Sequence, residues 1–348
     1  MKTRKSAAFN AWMLLLAFAI AVLIVPFSAE AQAPADITKA VNAAHAKYKT
    51  LQEGKNADYI PALAKVDPNL FGIVLITVDG KVYSAGDITS EVSIQSISKV
   101  FTMAKVMQES GGQALVDNMG VDATGMRFNS IVAIELYKGK EMNPLVNPGA
   151  ITATSMIKGA TVDQVWATII NTHSDFAGRP LSVNQEVYES EAATNQRNQA
   201  IASLMYAYGR IKDKPAQACD LYTKQCAISV NTKYLATMAA TLANGGKNPI
   251  TNKQVLETEH VPAVLAVMAT AGMYDDSGKW LYYSGLPAKS GVGGGVIAVS
   301  PGKWGIASIS PPLNEAGNSV RAQRAIIDVS NALGGNPYAA KPKAMVAR

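Results

Sequence analysis

Val92-Ser93-Ile94-Gln95-Ser96-Ile97-Ser98-Lys99-Val100-Phe101-Thr102-Met103 marks the place where a polar segment gives way to an apolar helical pattern. Ser96 and Lys99 stand three residues apart there, so on a helix they share one face about a turn apart. A serine hydroxyl within reach of an amine is a nucleophile beside a base. Ser98 is the competing serine, but neighbours at i and i+1 point to different helix faces, which favours Ser96. If Ser96 opens the helix, its backbone N–H is free at the positive end of the helix dipole and can hold an oxyanion. The plainer reading makes Ser96 an ordinary N-cap. Ser-x-x-Lys recurs by chance in long chains, so the pair gains meaning only from its surroundings.

On the N-terminal side, residues 71–78 are apolar and β-branched, Asp79-Gly80 is a strong two-residue turn, and residues 81–85 return as the second arm of a hairpin. A helix is expected over 37–52. On the C-terminal side the Ser96 helix runs to about Glu109 and stops at Gly111-Gly112. Helical patterns follow near 113–119, 150–158, 161–173, 189–210, 231–244 and 254–270. The stretches 120–147 and 174–188 read as loops. Strand character returns at 291–299 and 304–310 around a Ser300-Pro301-Gly302-Lys303 turn, and a closing helix covers 319–333. Strands at both ends with helices between them predict one mixed α/β (α+β) domain interrupted by a helical insertion.

The chain has 348 residues, of which 48% are hydrophobic and 17% charged. That balance suits a compact enzyme rather than a disordered chain. The formal charge is +6, but the basic residues are scattered without interleaved aromatics, which excludes a nucleic-acid footprint. Lys2, Arg4 and Lys5 precede 15 apolar residues (11–25), then Pro26 and small residues ending at Ala31 and Ala33. This is the layout of a signal peptide over 1–33, cleaved after Ala31 or Ala33. An apolar core of that length is short for a membrane span, so an exported protein without stable membrane association is expected, periplasmic or secreted. An oxidising compartment permits a disulfide between Cys219 and Cys226, though both also read as packing thiols. His45, His173 and His260 are too scattered for a metal set or a Ser-His-Asp arrangement.

Lys289-Ser290-Gly291-Val292-Gly293-Gly294-Gly295 is the second informative stretch. Lysine, hydroxyl and glycine entering a strand resemble the Lys-Thr-Gly element of Ser-x-x-Lys acyl enzymes. Gly291 would let a substrate approach the backbone, the Val292 N–H would be a second oxyanion donor, and Lys289 would lower the proton affinity of Lys99 by like-charge repulsion. A glycine-rich strand entry with an exposed lysine is the plainer alternative. The Ser-Asp-Asn element of penicillin-recognising enzymes has only Ser174-Asp175-Phe176 as a counterpart, without the final amide.

Gln95-Ser96-Ile97-Ser98-Lys99, together with Asp58-Tyr59-Ile60-Pro61, the run from Asn143 to Ile151, Ser190-Glu191 with Arg197-Asn198, the run from Met238 to Gly246, Gly272-Met273-Tyr274-Asp275 and the run from Gly285 to Val292, strongly resembles the serine-dependent glutaminase family. The resemblance covers about residues 40–330. It implies a β-lactamase-like fold with a central, mostly antiparallel sheet flanked by helices, the sheet part over 34–95 and 250–333 and a helical part over 96–249, followed by a mobile tail at 334–348. It implies Ser96 as nucleophile, Lys99 as its base and Tyr274 as proton relay to departing ammonia. The substrate pocket maps onto Asn147, Glu191, Asn198, Tyr222 and Val292, with Tyr59 at the entrance. The implied substrate is L-glutamine, with no metal or organic cofactor, and the implied state is a homo-oligomer, a dimer or tetramer. The residue types are sensible for that task. A carboxylate holds an ammonium, while amides and a phenol hold a carboxylate. Departures from the family are Pro148 before Gly149-Ala150-Ile151, a weakly charged 192–196 segment and the signal peptide. Two other readings are a β-lactamase-type serine acyl hydrolase and a non-catalytic periplasmic glutamine-binding protein.

Overall fold

Apolar runs long enough for a strand but too short for a helix need a sheet covered on both faces. In the computed structural model, which describes residues 33–140 and 142–339, three such runs (β1, β6 and β7) form the centre of a five-stranded sheet of order β2-β1-β7-β6-β5, every pair antiparallel, with β2 a half-exposed edge. The strands are β1 (Gly72–Thr77), β2 (Val82–Gly86), β5 (Ala288–Ser290), β6 (Gly295–Ser300) and β7 (Trp304–Ile309). A separate two-stranded ladder joins β3 (Val92–Ser93) to β4 (Ser229–Val230). The expected signal segment lies outside the described residues except for Ala33. The described residues from Ala35 onward form one compact unit.

Alternation along the strands separates two cores. Ile73, Leu75, Val296, Ala298 and Ile306 face the helices Pro34–Tyr48 and Val320–Ala332, meeting Ile37, Val41, Ala325 and Ile326. Val74, Ile76, Ile297, Val299 and Ala307 face the helices Ser98–Ser110, Thr232–Ala243 and Val261–Ala271. The Thr232–Ala243 helix lies against β7 so closely that a Cβ at Gly305 would stand 2.1 Å from the Ala240 nitrogen. The run from Met238 to Gly246 is therefore a packing element, built of small residues where helix and strand backbones touch.

Several elements differ from the sequence expectation, each for a local reason. The first hairpin turns through three residues: Thr77 N–H donates to Lys81 O, and Gly80 takes φ +84°. Val78 donates instead to Lys303 O, on the neighbouring turn. The strand expected over 291–299 begins only at Gly295. Gly291 N–H donates to Gly295 O, and Gly294 adopts φ +94°, which a strand cannot contain. Val292 therefore sits on a tight turn between β5 and β6. The 120–147 stretch holds the helix Ile131–Tyr137, capped by Ser130. The expected 189–210 helix is two, Gln185–Ala192 and Gln196–Ala207, the first capped by Asn184 inside the expected 174–188 loop. The helices Pro215–Cys226 and Ser277–Ser284 were not anticipated, and the 254–270 helix begins at Val261. Gly335 is tied down by Ser330 O and Ser300 Oγ, so the chain is anchored past Leu333.

Cys219 and Cys226 are free and buried on one helix. Seven residues of helix separate them by roughly 10 Å of rise, beyond the span of a disulfide.

Candidate active site

The β3–β4 ladder delivers the chain to the site: Ile94 N–H donates to Ile228 O immediately before the turn Gln95–Ile97. That turn is 3₁₀, and the α-helix starts one residue later, at Ser98. Ser96 thus does not cap the helix with its side chain. Gln95, before it, is held at φ +50°, a conformation that L residues avoid unless their surroundings impose it. The Gln95 amide does impose it, donating to Ser93 Oγ and to Glu191 Oε2, both at 3.1 Å. Ser98 bonds elsewhere. Its hydroxyl donates to Gln95 O and accepts from Gln225 Nε2 at 3.0 Å, which makes it a structural residue.

Lys99 is 1% exposed. Its Nζ donates to Asn147 Oδ1 at 2.7 Å and to Leu145 O at 3.5 Å, and lies about 6 Å from the ring centres of Phe128, Tyr222 and Tyr274. Burial brings its proton affinity down to about 7, with Cys226 and Glu191 acting weakly in the opposite direction. Asn147 enters as the first residue of the helix Asn147–Met156, where the following Pro148 is favourable because no intrahelical N–H is needed. Its carbonyl oxygen also accepts from Tyr222 Oη at 3.2 Å, and its Nδ2 donates to Asn198 Oδ1 at 2.9 Å. Lys99 and Tyr222 donating to its oxygen and Asn198 Oδ1 accepting from its nitrogen agree on one orientation of this amide.

Glu191, 7% exposed, ends the helix Gln185–Ala192. Burial raises its carboxyl to about 7, opposed by the Gln95 hydrogen bond and by Lys99. The helix itself is pinned to the 58–61 turn region by Ala62 N–H donating to Ser190 Oγ.

The opposite wall is main chain. A Cβ on Gly291 would lie 2.7 Å from Ile94 O and 3.3 Å from the Ser96 nitrogen, so only glycine lets the β5–β6 turn come so close. Among the described residues, neither the Ser96 N–H nor the Val292 N–H has a protein acceptor. Tyr274 is buried at φ +56°, and its phenol donates to Ser290 O at 3.5 Å. Burial pushes that phenol up, partly offset by hydrogen bonding with Ser96 and Ser290. Its ring packs on Phe128 with centres 4.8 Å apart. A cleft of about 630 Å³ opens outside this constellation, lined by Tyr59, Arg127, Phe128, Asp275, Val292 and Gly317. Val292 lines it, whereas Ser96 and Lys99, both buried, do not.

Ser96, Lys99, Asn147, Glu191, Asn198, Tyr222, Tyr274 and Val292 thus converge on one place, and Tyr59 lies at its mouth, half exposed. Ser174-Asp175-Phe176 lies within the helix Val162–Ala177, where Ser174 donates to Ile170 O and Asp175 pairs with Lys253. Burial is the main cause of the depressed proton affinity of Lys99; Lys289 is coupled to Lys99 by like-charge repulsion and is itself driven well down, by burial first. Sequence reasoning passed over Gln95 as the holder of Glu191, Leu145 O as a lysine acceptor, and Phe128. Gln95 and Leu145 stood inside quoted motifs, while Phe128 lay in a stretch without pattern.

A family profile described as Glutaminase matches residues 54–338. A curated glutaminase of Mycobacterium ulcerans is 51% identical over 299 residues, 86% of this chain and 93% of that protein. Among solved structures, the probable glutaminase ybaS superposes with TM-score 0.88 at 46% identity, covering 89% of this chain and 100% of its own. Mglu in its glutamate form superposes with TM-score 0.82 at 34% identity, covering 89% and 71%. With its β-lactamase-like arrangement of sheet and helices, the chain belongs to the glutaminase family.

Proposed function

We propose that the protein hydrolyses L-glutamine to L-glutamate and ammonia through an ester on Ser96. The observation that carries the mechanism is the arrangement at Lys99. Neutral, the amine has two hydrogens, and Asn147 Oδ1 and Leu145 O accept both, leaving its lone pair as the base for the Ser96 proton. Ser96 Oγ attacks the side-chain amide carbon. The N–H groups of Ser96 and Val292, which have no protein acceptor, receive the oxyanion. Tyr274 passes a proton to the amide nitrogen and takes the Ser96 proton back from Lys99, the carbon–nitrogen bond breaks and ammonia leaves, so that Lys99 is neutral again. Water then attacks the ester carbon, giving one proton to Lys99; the carbon–oxygen bond to Ser96 breaks and Lys99 returns that proton to Ser96 Oγ, giving glutamate and restoring the hydroxyl. No step calls for a metal or an organic cofactor.

Glu191 receives the substrate ammonium, while Asn198, Tyr222 and the Asn147 amide receive its carboxylate. Tyr59 stands at the entrance to the pocket. Ser96→Ala is expected to abolish ammonia release while leaving the far-UV circular dichroism and glutamine binding by calorimetry intact. Near-normal ammonia release from that variant would overturn the assignment of the nucleophile.

We infer further that the protein works outside the cytoplasm as a homo-oligomer. The n-region, the 15-residue apolar core and the small residues before Pro34 support export. No helix among the described residues is long and apolar enough to cross a membrane. The oligomer rests on the family resemblance alone. Intact mass of the exported chain and light scattering test the two inferences separately; an unprocessed N-terminus or a monomer refutes the corresponding one.

A further inference from the structure

Lys289 has no task in the mechanism above, yet it is completely buried on β5. Its Nζ donates to Gly272 O at 2.9 Å and to Ser290 O at 2.7 Å, and stands 3.9 Å from the centre of the Tyr274 ring. Those three contacts surround one strained residue. Tyr274 opens the 3₁₀ turn Tyr274–Asp276 at φ +56°, which persists only if neighbours over-determine it. Ser277 Oγ holds the turn from within, donating to Tyr274 O and accepting from Met273 N–H. Asn318 holds it from the 311–319 loop by donating to Met273 O at 3.1 Å. Between the end of the Val261–Ala271 helix and β5, Lys289 adds a side-chain tie to the long backbone bond from Ser290 N–H to Gly272 O, 3.4 Å. It shares the Ser290 carbonyl with the Tyr274 hydroxyl itself.

We propose that Lys289 is a positioning residue that acts through Tyr274: by joining Gly272 O to Ser290 O across the ring, it holds the phenol at Ser96. The proposal rests on the reading of Ser96 and Tyr274 given above. The alternative role is like-charge repulsion that keeps Lys99 neutral: the two lysines are coupled, though burial is the larger cause of the lowered affinity of each. From every side, the titratable groups facing Lys289 are Lys99, Tyr274 and Cys226.

A double-mutant cycle on glutamine turnover in the full chain separates the two roles. Lys289→Met keeps the length of the side chain and removes its donors. It is expected to lower kcat on the order of 10- to 100-fold, as a misplaced catalytic group does, with KM changed less than about threefold. The acid limb of kcat against pH should stay in place. In a Tyr274→Phe background the same change should cost less than about twofold, because the ring it positions no longer carries the proton. Losses that multiply in the double variant, or an acid limb displaced by Lys289→Met alone, would overturn the proposal. A Tyr274→Phe enzyme as fast as the parent beside a slow Lys289→Met enzyme would also overturn it. Should Lys289→Met fail to fold, Lys289→Leu completes the cycle. Leucine also lacks donors, so a full rate there refutes positioning, and a loss that appears only while Tyr274 is present supports it. Failure of the wider reading would register differently, as ammonia release from Ser96→Ala.

Discussion

The two walls of the site bury one lysine each and use it in opposite ways. On the helix wall Lys99 meets side chains, Asn147 above all, and lies within the influence of a titratable carboxyl, Glu191. On the strand wall Lys289 meets main-chain carbonyls and an aromatic ring. Burial lowers the proton affinity of both, so burial alone does not make a base. The difference lies in what surrounds each nitrogen: Lys99 has a side-chain amide as its nearest partner and three aromatic ring centres about 6 Å away, whereas Lys289 lies between two main-chain carbonyls, 3.9 Å from the centre of the Tyr274 ring. The helix wall holds Lys99 and Glu191, the two groups brought to about 7; the strand wall fixes the positions of Tyr274 and of an oxyanion donor.

The largest effect that distinguishes the walls is expected from Lys99→Met. Turnover should fall by roughly 10³-fold or more, since the general base is gone and nothing nearby replaces it. Stability should move the other way. A lysine whose folded-state affinity lies near 7 instead of 10.5 binds fewer protons folded than unfolded between those pH values. Its penalty is absent above about pH 10.5 and complete below about pH 7, so folding stability rises with pH across that window. Methionine removes the slope and the penalty, raising stability near pH 7 by roughly 1–4 kcal/mol. Chemical denaturation of both forms at pH 7 and pH 10 checks this. A methionine variant less stable than the parent at pH 7 would mean that Lys99 is not held as a buried neutral amine.

Glu191→Gln comes next. The amide keeps the shape and its link to Gln95 but removes the anion that receives the substrate ammonium, so KM should rise by about 10- to 100-fold. Glu191 is also one of the two groups that raise the affinity of Lys99. Without it Lys99 loses its proton at lower pH, and the acid limb of kcat should move down. In the parent, by contrast, Glu191 with its carboxyl near 7 takes up a proton as pH falls through that value, and KM should climb. Steady-state kinetics from pH 5.5 to 9 test both signs. An acid limb moving up in the variant would contradict the helix-wall picture.

How much of this contrast was legible beforehand follows from which forces act locally. The Ser96–Lys99 spacing is a property of helix geometry, so the pair was readable, as was the choice against Ser98. The hairpin at Asp79-Gly80 was readable because turn chemistry acts within four residues. Its loop length was not, since Val78 is drawn off by Lys303 O from another hairpin. On the strand wall the run of glycines concealed a turn that ends at Gly294, so Val292 was placed on a strand. The role of Lys289 could not be read at all, because it depends on Gly272 O and the Tyr274 ring, which the sheet brings to it from elsewhere in the chain. The caps at Ser130 and Asn184 are local signals that went unread, and with them the helix Ile131–Tyr137 and the start of the helix that carries Glu191. Identity of the pocket residues came from the ordered set of motifs; none of them singly outweighed its plainer reading.

The smallest of these expected effects tests the strand wall by itself. Gly291 does not adopt a positive φ, so alanine is tolerated by the backbone there, and any cost must come from contact. The new Cβ would press on Ile94 O at 2.7 Å, a main-chain atom that cannot rotate away, and would approach the Ser96 nitrogen at 3.3 Å. The β5–β6 turn must then recede from the serine, and the Val292 N–H recedes with it. An oxyanion donor displaced rather than lost should lower kcat about tenfold, with KM nearly constant because the substrate ammonium and carboxylate are held on the other wall. The acid limb should also stay in place, since no titratable group moves. A Gly291→Ala variant that raised KM and left kcat alone would place the turn in substrate binding instead, and the division between a titrating wall and a geometric one would fail.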